Sequence, residues 1–509
     1  MIIAVKSIKA ESFKALKCML NLINYKNRFL ELVGEKVKSN LTIWKAIIPL
    51  LGLIIAAACS IFIWNAGMNF PLIVGVILAS IIAISCGWSW NDIQQMMVNG
   101  VTRSLPAVFI LMIIGTIIGS WIASGVIPTM IYYGVSILDP SWFVPFVALI
   151  TGIVSITLGT SFTSIATVGL AFMAIGEGLG FSSALVAGAV LSGAYLGDKL
   201  SPLSDTTNIA AALVDTDLFS HIKHMLWDTI PAFVVSLLLF WMFGSFEIAN
   251  NTSIGNGTIE VIMSGLDEAF VIHPLLLLLP ILTILLMLKR TPALPALMGV
   301  GLLGAVIAVV VQGISVSSIV QFMTSGFKIE TGIGEIDSLL NRGGLASMLG
   351  TVGMLMIATA LGGILEETGT FEILTGKMMR KVKTTGALIG STLLSTFVVA
   401  LASGAQFLAI ILPARTFVQK YKDMNIDTKN LSRTVESMGT VGINLIPWSV
   451  PAVFATSILG VSAWEFIPYA FFIYLVPLVN LLFGFTGWTI ARKDYSQERE
   501  PAQVEREVV

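Results

Sequence analysis

Gly197-Asp198-Lys199-Leu200-Ser201-Pro202-Leu203-Ser204-Asp205-Thr206-Thr207-Asn208 is a polar island between two apolar runs, 183–196 and 209–214. Neither run alone reaches the roughly 20 apolar residues that cross a bilayer, but joined through the island they do. The island holds two carboxylates, one ammonium, two Ser, two Thr and one Asn. Charges at membrane depth are costly, so they face a cavity, a partner or an ion path. Pro202 removes a backbone donor and Gly197 loosens the approach to it, which predicts a helix that opens here. An opened helix presents carbonyls and two half-helix ends, the arrangement by which several secondary transporters bind cations. The competing reading is a cytoplasmic loop between two short helices, and the apolarity of both flanks weighs against it.

Composition sets the class. Hydrophobic residues make up 56% of the 509 and charged residues 12%, about half the charge of a soluble domain, so an all-α polytopic membrane protein is expected. A formal net charge of −1 gives no signal for nucleic acid. Cys18, Cys59 and Cys86 are odd in number and lack metal or disulfide spacing. The apolar start, 1–5, is too short for a cleavable signal peptide.

Residues 1–45 carry nine Lys/Arg against Glu11, Glu31 and Glu35, with Ile8, Phe13, Leu16, Leu20 and Ile23 spaced for one helical face. They read as a basic, amphipathic cytoplasmic segment that lies on anionic lipid, or as a basic tail. A first transmembrane repeat is expected over 46–246, with spans at 46–66, 70–87 and 104–123, an interfacial linker at 88–103 and a short outer-surface helix at 126–139. The stretch 142–176 has a polar break at Gly159-Thr160-Ser161-Phe162-Thr163-Ser164. Two half-helices of about 17 residues, rising ~1.5 Å per residue, suit a re-entrant hairpin better than one span. The broken helix 182–217, a loop at 219–228 and a span at 229–246 complete the repeat. The acidic stretch 247–272 reads as an external linker. The second repeat, 273–491, has spans at 273–288, 293–312 and 345–365 and an amphipathic stretch at 314–343. Its apolar stretch 386–418 breaks at Ser403-Gly404-Ala405-Gln406, and its helix 431–464 breaks at Pro447-Trp448-Ser449-Val450-Pro451. A span at 466–490 and a cytoplasmic tail, 492–509, follow.

The halves match each other. Gly159 precedes Pro202 by 43 residues and Gly404 precedes Pro447 by the same 43, while Gly119 and Gly125 match Gly363 and Gly369, 244 residues on. Helix breakers recurring at one offset indicate duplication. Counting hairpins as non-crossing gives five crossings per half. The second repeat is then inverted, and Lys289-Arg290, Lys377–Lys383, Lys420–Lys429 and Arg492-Lys493 all fall in the cytoplasm with both termini. Two hairpin tips and two broken helices would meet at the bilayer midplane.

A hard monovalent cation takes oxygen ligands. Asp205, Asp198, Ser204, Thr206, Asn208, Thr160 and Ser161 offer them, with Asp205, Ser204 and Thr160 as the expected Na+ ligands; equally, the hydroxyls could satisfy unwound backbone. Gly404, Gln406, Pro447 and Ser449 are their counterparts in the second repeat. Asp205 is expected to be the carboxylate on which Na+ and H+ compete, with Asp198 paired to Lys199. Glu436 is a possible third titrating group, although a pair with Arg433 at i, i+3 would account for it. Glu366 and Glu367 read as interfacial, His221 and His224 as solvated in a cytoplasmic loop, and His273 as an interface residue.

The island from Gly197 to Asn208, with Gly159-Thr160-Ser161-Phe162 upstream, resembles the NhaC family of bacterial Na+/H+ antiporters, over about residues 45–490. The resemblance implies the ion transporter superfamily fold of two inverted repeats, each with a re-entrant hairpin and an interrupted helix. It further implies exchange of cytoplasmic Na+ for external H+ in the cell membrane, no cofactor beyond those ions, and a homodimer. The family also includes exchangers that take up malate with protons and release Na+ and lactate. An intramembrane aspartyl enzyme built on Asp198 and Asp205 is disfavoured: the presenilin-type Gly-x-Gly-Asp would need a Gly where Tyr195 stands, and no His-Glu-x-x-His motif exists. Paired hairpins also disfavour a channel.

Overall fold

Apolar runs punctuated by Gly and Pro fold as helices throughout. The structure, a computed structural model, describes residues 41–64, 66–137, 139–250, 256–289, 291–379 and 382–495. The amphipathic segment expected over 1–45 lies outside them up to residue 40, as do Arg290, Arg380, Lys381 and the tail from 496. The helices are α1 (Ile43–Ala58), α2 (Asn69–Ser85), α3 (Trp90–Ala123), α4 (Val126–Ile137), α5 (Pro140–Leu158), α6 (Ser161–Gly178), α7 (Ser183–Leu200), α8 (Asp205–Leu213), α9 (Leu218–Asn250) and α10 (Asn256–Ala269). They continue as α11 (Leu278–Leu288), α12 (Ala293–Val310), α13 (Val316–Ser325), α14 (Gly334–Leu340), α15 (Leu345–Glu367), α16 (Thr370–Met379), α17 (Thr385–Ser403), α18 (Gln406–Asp423), α19 (Lys429–Leu445), α20 (Val450–Leu459), α21 (Ala463–Tyr469) and α22 (Phe471–Thr486). Among the described residues eight helices are long and apolar enough to cross a bilayer, or up to eleven if each bent pair is one span. Leu51, Ile77, Leu303 and Leu482 are among the large apolar side chains left exposed on the outside, as a lipid-facing surface requires. The chain is thus a polytopic all-α membrane protein.

Three local expectations need correction. The linker 88–103 is not a separate interfacial segment: Ser89 and Asp92 form a capping box that starts α3 at Trp90, and nothing breaks it before Gly125. The helix at 126–139 is not on the surface, because Val126, Ile127, Met130 and Ile131 are buried. Residues 219–228 are helix rather than loop; Asp217 accepts the Ser220 amide at 2.8 Å and caps the start of α9.

Both polar breaks are hairpin tips. Gly159 and Gly404 end α5 and α17 in the left-handed region, at φ 76° and 61°, a conformation that glycine adopts without strain. The chain then folds back. Phe143, early in α5, lies against Phe172 and Gly176, late in α6. Thr392 of α17 meets Tyr421, near the end of α18, at 3.2 Å between hydroxyls. Each tip sits on the break of its own repeat: Gly159 against Leu203, and Gly404 against Trp448 and Ser449, with the Val450 amide donating to the Gly404 carbonyl at 2.8 Å.

The equivalent helices α3 and α15 run antiparallel. Gly100 and Ser104 of α3 face Gly363 and Thr359 of α15, whereas Gly115 faces Gly344 and Met348. The matching pair α9 and α22 is antiparallel too, with Asp228 beside Asn480 and Phe240 beside Phe471. Inverted repeats require this relation. The α3–α15 crossing depends on missing side chains, since a Cβ at Gly363 would stand 2.3 Å from the Met96 carbonyl. Gly363→Ala should therefore cost about 1–3 kcal/mol, as overpacking does. Thermal unfolding in detergent would show it as a lowered midpoint, and an unchanged midpoint would mean the crossing is loose.

Candidate functional site

The first repeat's tip and break converge on Asp198. α7 ends at Leu200, and Ser204 caps the restarting α8. Asp198, at the end of α7, is buried, and it accepts hydrogen bonds from two hydroxyls of separate elements. Ser161 of the tip donates to Oδ2 at 2.6 Å, and Ser204 donates to Oδ1 at 2.7 Å. Thr206 extends the set, its hydroxyl 2.9 Å from that of Ser204. Tyr195, one turn before Asp198, stands close to Ser161 and to Asn444 of α19, yet its hydroxyl and the Asn444 Oδ1 make no hydrogen bond. Buried polar atoms without partners are rare in folded proteins and mark places where another polar species fits. The chemistry is that of a hard-cation site: one carboxylate, several hydroxyls that can turn a lone pair inward, and an amide oxygen.

The other expected residues fall into distinct places. Asp205 is exposed at the start of α8 and lines a cavity of about 500 Å³ beside the tips. Asn208 is also exposed, and its amide donates to the Pro202 and Ser204 carbonyls, which satisfies the unwound backbone. Thr160 is half-buried at the tip, where its carbonyl accepts from the Ser164 amide. Of the second-repeat counterparts, Ser449 is the N-cap of α20 and its hydroxyl accepts from the Ala452 amide, whereas the Ser204 hydroxyl at the start of α8 goes to Asp198 instead; Gly404 forms the tip, and Pro447 lies in the 47° bend between α19 and α20. Gln406 is buried at the tip, lines the cavity and leaves its Nε2 without a partner. Phe162 of the first tip packs edge-on against Phe454 of α20, 4.5 Å between centroids, so the two repeats meet beside the site.

Asp198 does not pair with Lys199. Successive residues on a helix point about 100° apart and do not face each other. Lys199 turns to the other side of α7, fully buried, and donates to Asp228 Oδ2 of α9 at 2.8 Å and to Ser437 of α19 at 2.9 Å. Ser437 and Asn480 of α22 also donate to Asp228, at 2.6 and 3.0 Å. This neutral, hydrogen-bonded pair joins four elements next to the site. Nor does Glu436 pair with Arg433. The Arg433 Nη1 donates to Thr489 at 3.1 Å, and both Glu436 oxygens lack a partner. His221 and His224 are buried rather than solvated, because α9 begins before them and packs them against Ser432 and Asn430 of α19. Glu366 is engaged with Arg103 across the α3–α15 crossing and lines the cavity.

Sequence reasoning missed Tyr195, Asp228, Ser437, Asn444 and Asn480. A signal existed for Asn444 and Asn480, which are lone amides inside apolar runs. Asp228 was concealed by the supposed loop. Among the described residues no group of three or more His, Cys, Asp or Glu could hold a metal ion.

The Na+/H+ antiporter family matches residues 193–488. The Na+/H+ antiporter NhaC of Alkalihalophilus pseudofirmus is 40% identical, covering 87% of this chain and 96% of its own length. The malate-2H+/Na+-lactate antiporter of Bacillus subtilis is 35% identical over 87% of this chain and 94% of its own. The arginine/ornithine antiporter ArcD of Halobacterium salinarum is 34% identical over 90% and 94%.

Proposed function

The chain belongs to the Na+/H+ antiporter family, and on that premise we propose that it exchanges cytoplasmic Na+ for external H+, with Asp198 as the carboxylate for which the two ions compete. The observation that carries this reading is the pair of hydroxyls, from the hairpin tip and the restarting helix, both aimed at one buried carboxylate. Na+ on Asp198 takes oxygen lone pairs from Ser161 and Ser204, so those hydroxyls turn from donors into ligands. A proton on Asp198 neutralises it and leaves no ligand for Na+. Because the groups belong to the hairpin tip and to the restarting helix, occupancy is sensed where the tip and the broken helix touch. Alternation then needs only that the empty, charged site not change its facing.

Orientation belongs to the same proposal. The basic clusters put both termini in the cytoplasm of a bacterial cell membrane, with the two repeats and the external linker bounded as the sequence suggests. Chemistry at this site needs no cofactor and no covalent step. Purified protein in Na+-loaded proteoliposomes should acidify the lumen when diluted into Na+-free buffer. Absence of acidification unless an organic acid is supplied would contradict the reading.

One feature favours a second reading, uptake of malate with protons against Na+ and lactate. The cavity beside the tips has a volume of about 500 Å³ and is lined by Arg103 and Arg415 as well as Gln406. That volume is in the range of small organic ligands rather than of a bare ion. Under the first reading Arg415→Ala leaves Na+-driven acidification within about twofold of wild type; under the second, malate and lactate counterflow is measurable and falls at least tenfold in this variant.

A further inference from the structure

We infer that Glu436, with Thr440 and Asn444, forms a second proton-carrying site alongside Asp198. This rests on the antiport reading above and deepens it. The three residues recur four apart along α19, on either side of and within its π-wound stretch. All three are buried. Each leaves an oxygen without a partner: both carboxylate oxygens of Glu436, the hydroxyl of Thr440 and the Oδ1 of Asn444. The helix is π-wound over Ser437–Val441, between Glu436 and Asn444, and such insertions gather at functional sites. A carboxylate with nothing on either oxygen is stable in a dry interior only with a proton on it or a cation against it.

The surrounding charges decide between these. Lys199 and Asp228 lie within electrostatic reach of Glu436, as does Asp198. Arg433 stands one turn back on the same helix, with Tyr421 of α18 near it. His221 and His224 of α9 contact α19 at Ser432 and Asn430, a turn or more before Glu436. Lys199 and Asp228 satisfy each other, so the uncompensated charges nearby are the Arg433 guanidinium and the Asp198 carboxylate. A second metal cation would meet the repulsion of the guanidinium, whereas a proton bonds covalently to the carboxylate and leaves Glu436 neutral. Polar groups stand between the two carboxylates: Thr440 beside Glu436, and Asn444 and Ser161 beside Tyr195, with Ser161 donating to Asp198. When Na+ settles on Asp198 the added positive charge favours loss of the Glu436 proton. The bond broken is the carboxyl O–H, its electron pair stays on the Glu436 carboxylate, and the proton is taken up by water.

Protons released per Na+ bound are counted by calorimetry of the purified protein in two buffers of different ionisation enthalpy. Wild type should release more than one proton per Na+, Glu436→Gln about one fewer, and Glu436→Asp the wild-type number. An unchanged count in Glu436→Gln overturns the inference, and so does a count lowered equally in the Asp variant, which would make the position one of packing. If the Gln variant does not reach the membrane, the Asp variant decides: the pH midpoint of proton release must move with the new carboxylate, and an unmoved midpoint overturns the inference. Failure of the antiport reading looks different, since Na+ would then release no proton from wild type at all.

Discussion

Asp198→Asn should reach the membrane folded and lose Na+-driven proton movement. The substitution keeps the shape, and one of Ser161 and Ser204 retains an acceptor at the amide oxygen while the other must turn to accept from the amide nitrogen; the charge and the titration are gone. Replacing a charged ligand by a neutral one at about 3 kcal/mol corresponds to a roughly hundredfold loss of Na+ affinity. Exchange should fall further, because no proton can take the cation's place. Asp205→Asn is the matched control: it removes a carboxylate three residues from Pro202 that is exposed at the cavity rim, and exchange should stay within about twofold of wild type. Ser161→Ala should lie between the two, with weakened apparent Na+ affinity and a preserved maximal rate. The reverse result, with Asp205→Asn dead and Asp198→Asn active, would return the site to the cavity.

The second large effect is on stability. Lys199→Met leaves Asp228 buried with a charge and without its ion-pair partner, although Ser437 and Asn480 still donate to it and Arg433 acts on it from further off. Breaking a buried pair from one side costs about 3–5 kcal/mol, whereas replacing both partners by apolar groups is often close to neutral. Lys199→Met and Asp228→Leu should therefore each melt well below wild type in detergent. The double variant Lys199→Met/Asp228→Leu should recover more than half of the loss. Additive losses in the double variant would mean that the pair acts through something other than mutual compensation of charge.

Much of the architecture was legible because helix breakers speak locally. Gly159 and Gly404 need a left-handed backbone and announced the tips; Pro202 and Pro447 announced the breaks; the shared 43-residue spacing tied each tip to its break. How the first tip meets the second repeat was not legible, since the Phe162–Phe454 contact joins residues far apart in the chain. Within the island, sequence neighbours and folded neighbours single out different carboxylates. Asp205 has the oxygen-rich neighbours in sequence, yet the hydroxyls of Ser161 and Ser204 converge on Asp198 across the break. Sequence adjacency likewise suggested an Asp198–Lys199 pair that helix geometry forbids. Lys199 finds its partner 29 residues away, at a position that reads as loop because Phe219 and Asp228 bracket a polar run.

The central claim is that Na+ and a proton exclude each other on Asp198. Calorimetric titration of Na+ into wild type and Asp198→Asn across a range of pH tests it most directly. For one competing proton the apparent Kd must rise tenfold for each pH unit on the acid side, about 1.4 kcal/mol per unit, and a second coupled proton steepens it. The account predicts that slope in wild type and in Asp205→Asn, and no saturable Na+ binding at comparable concentrations in Asp198→Asn. A Na+ affinity that does not change with pH in wild type, or one that keeps its slope in Asp198→Asn, would contradict it.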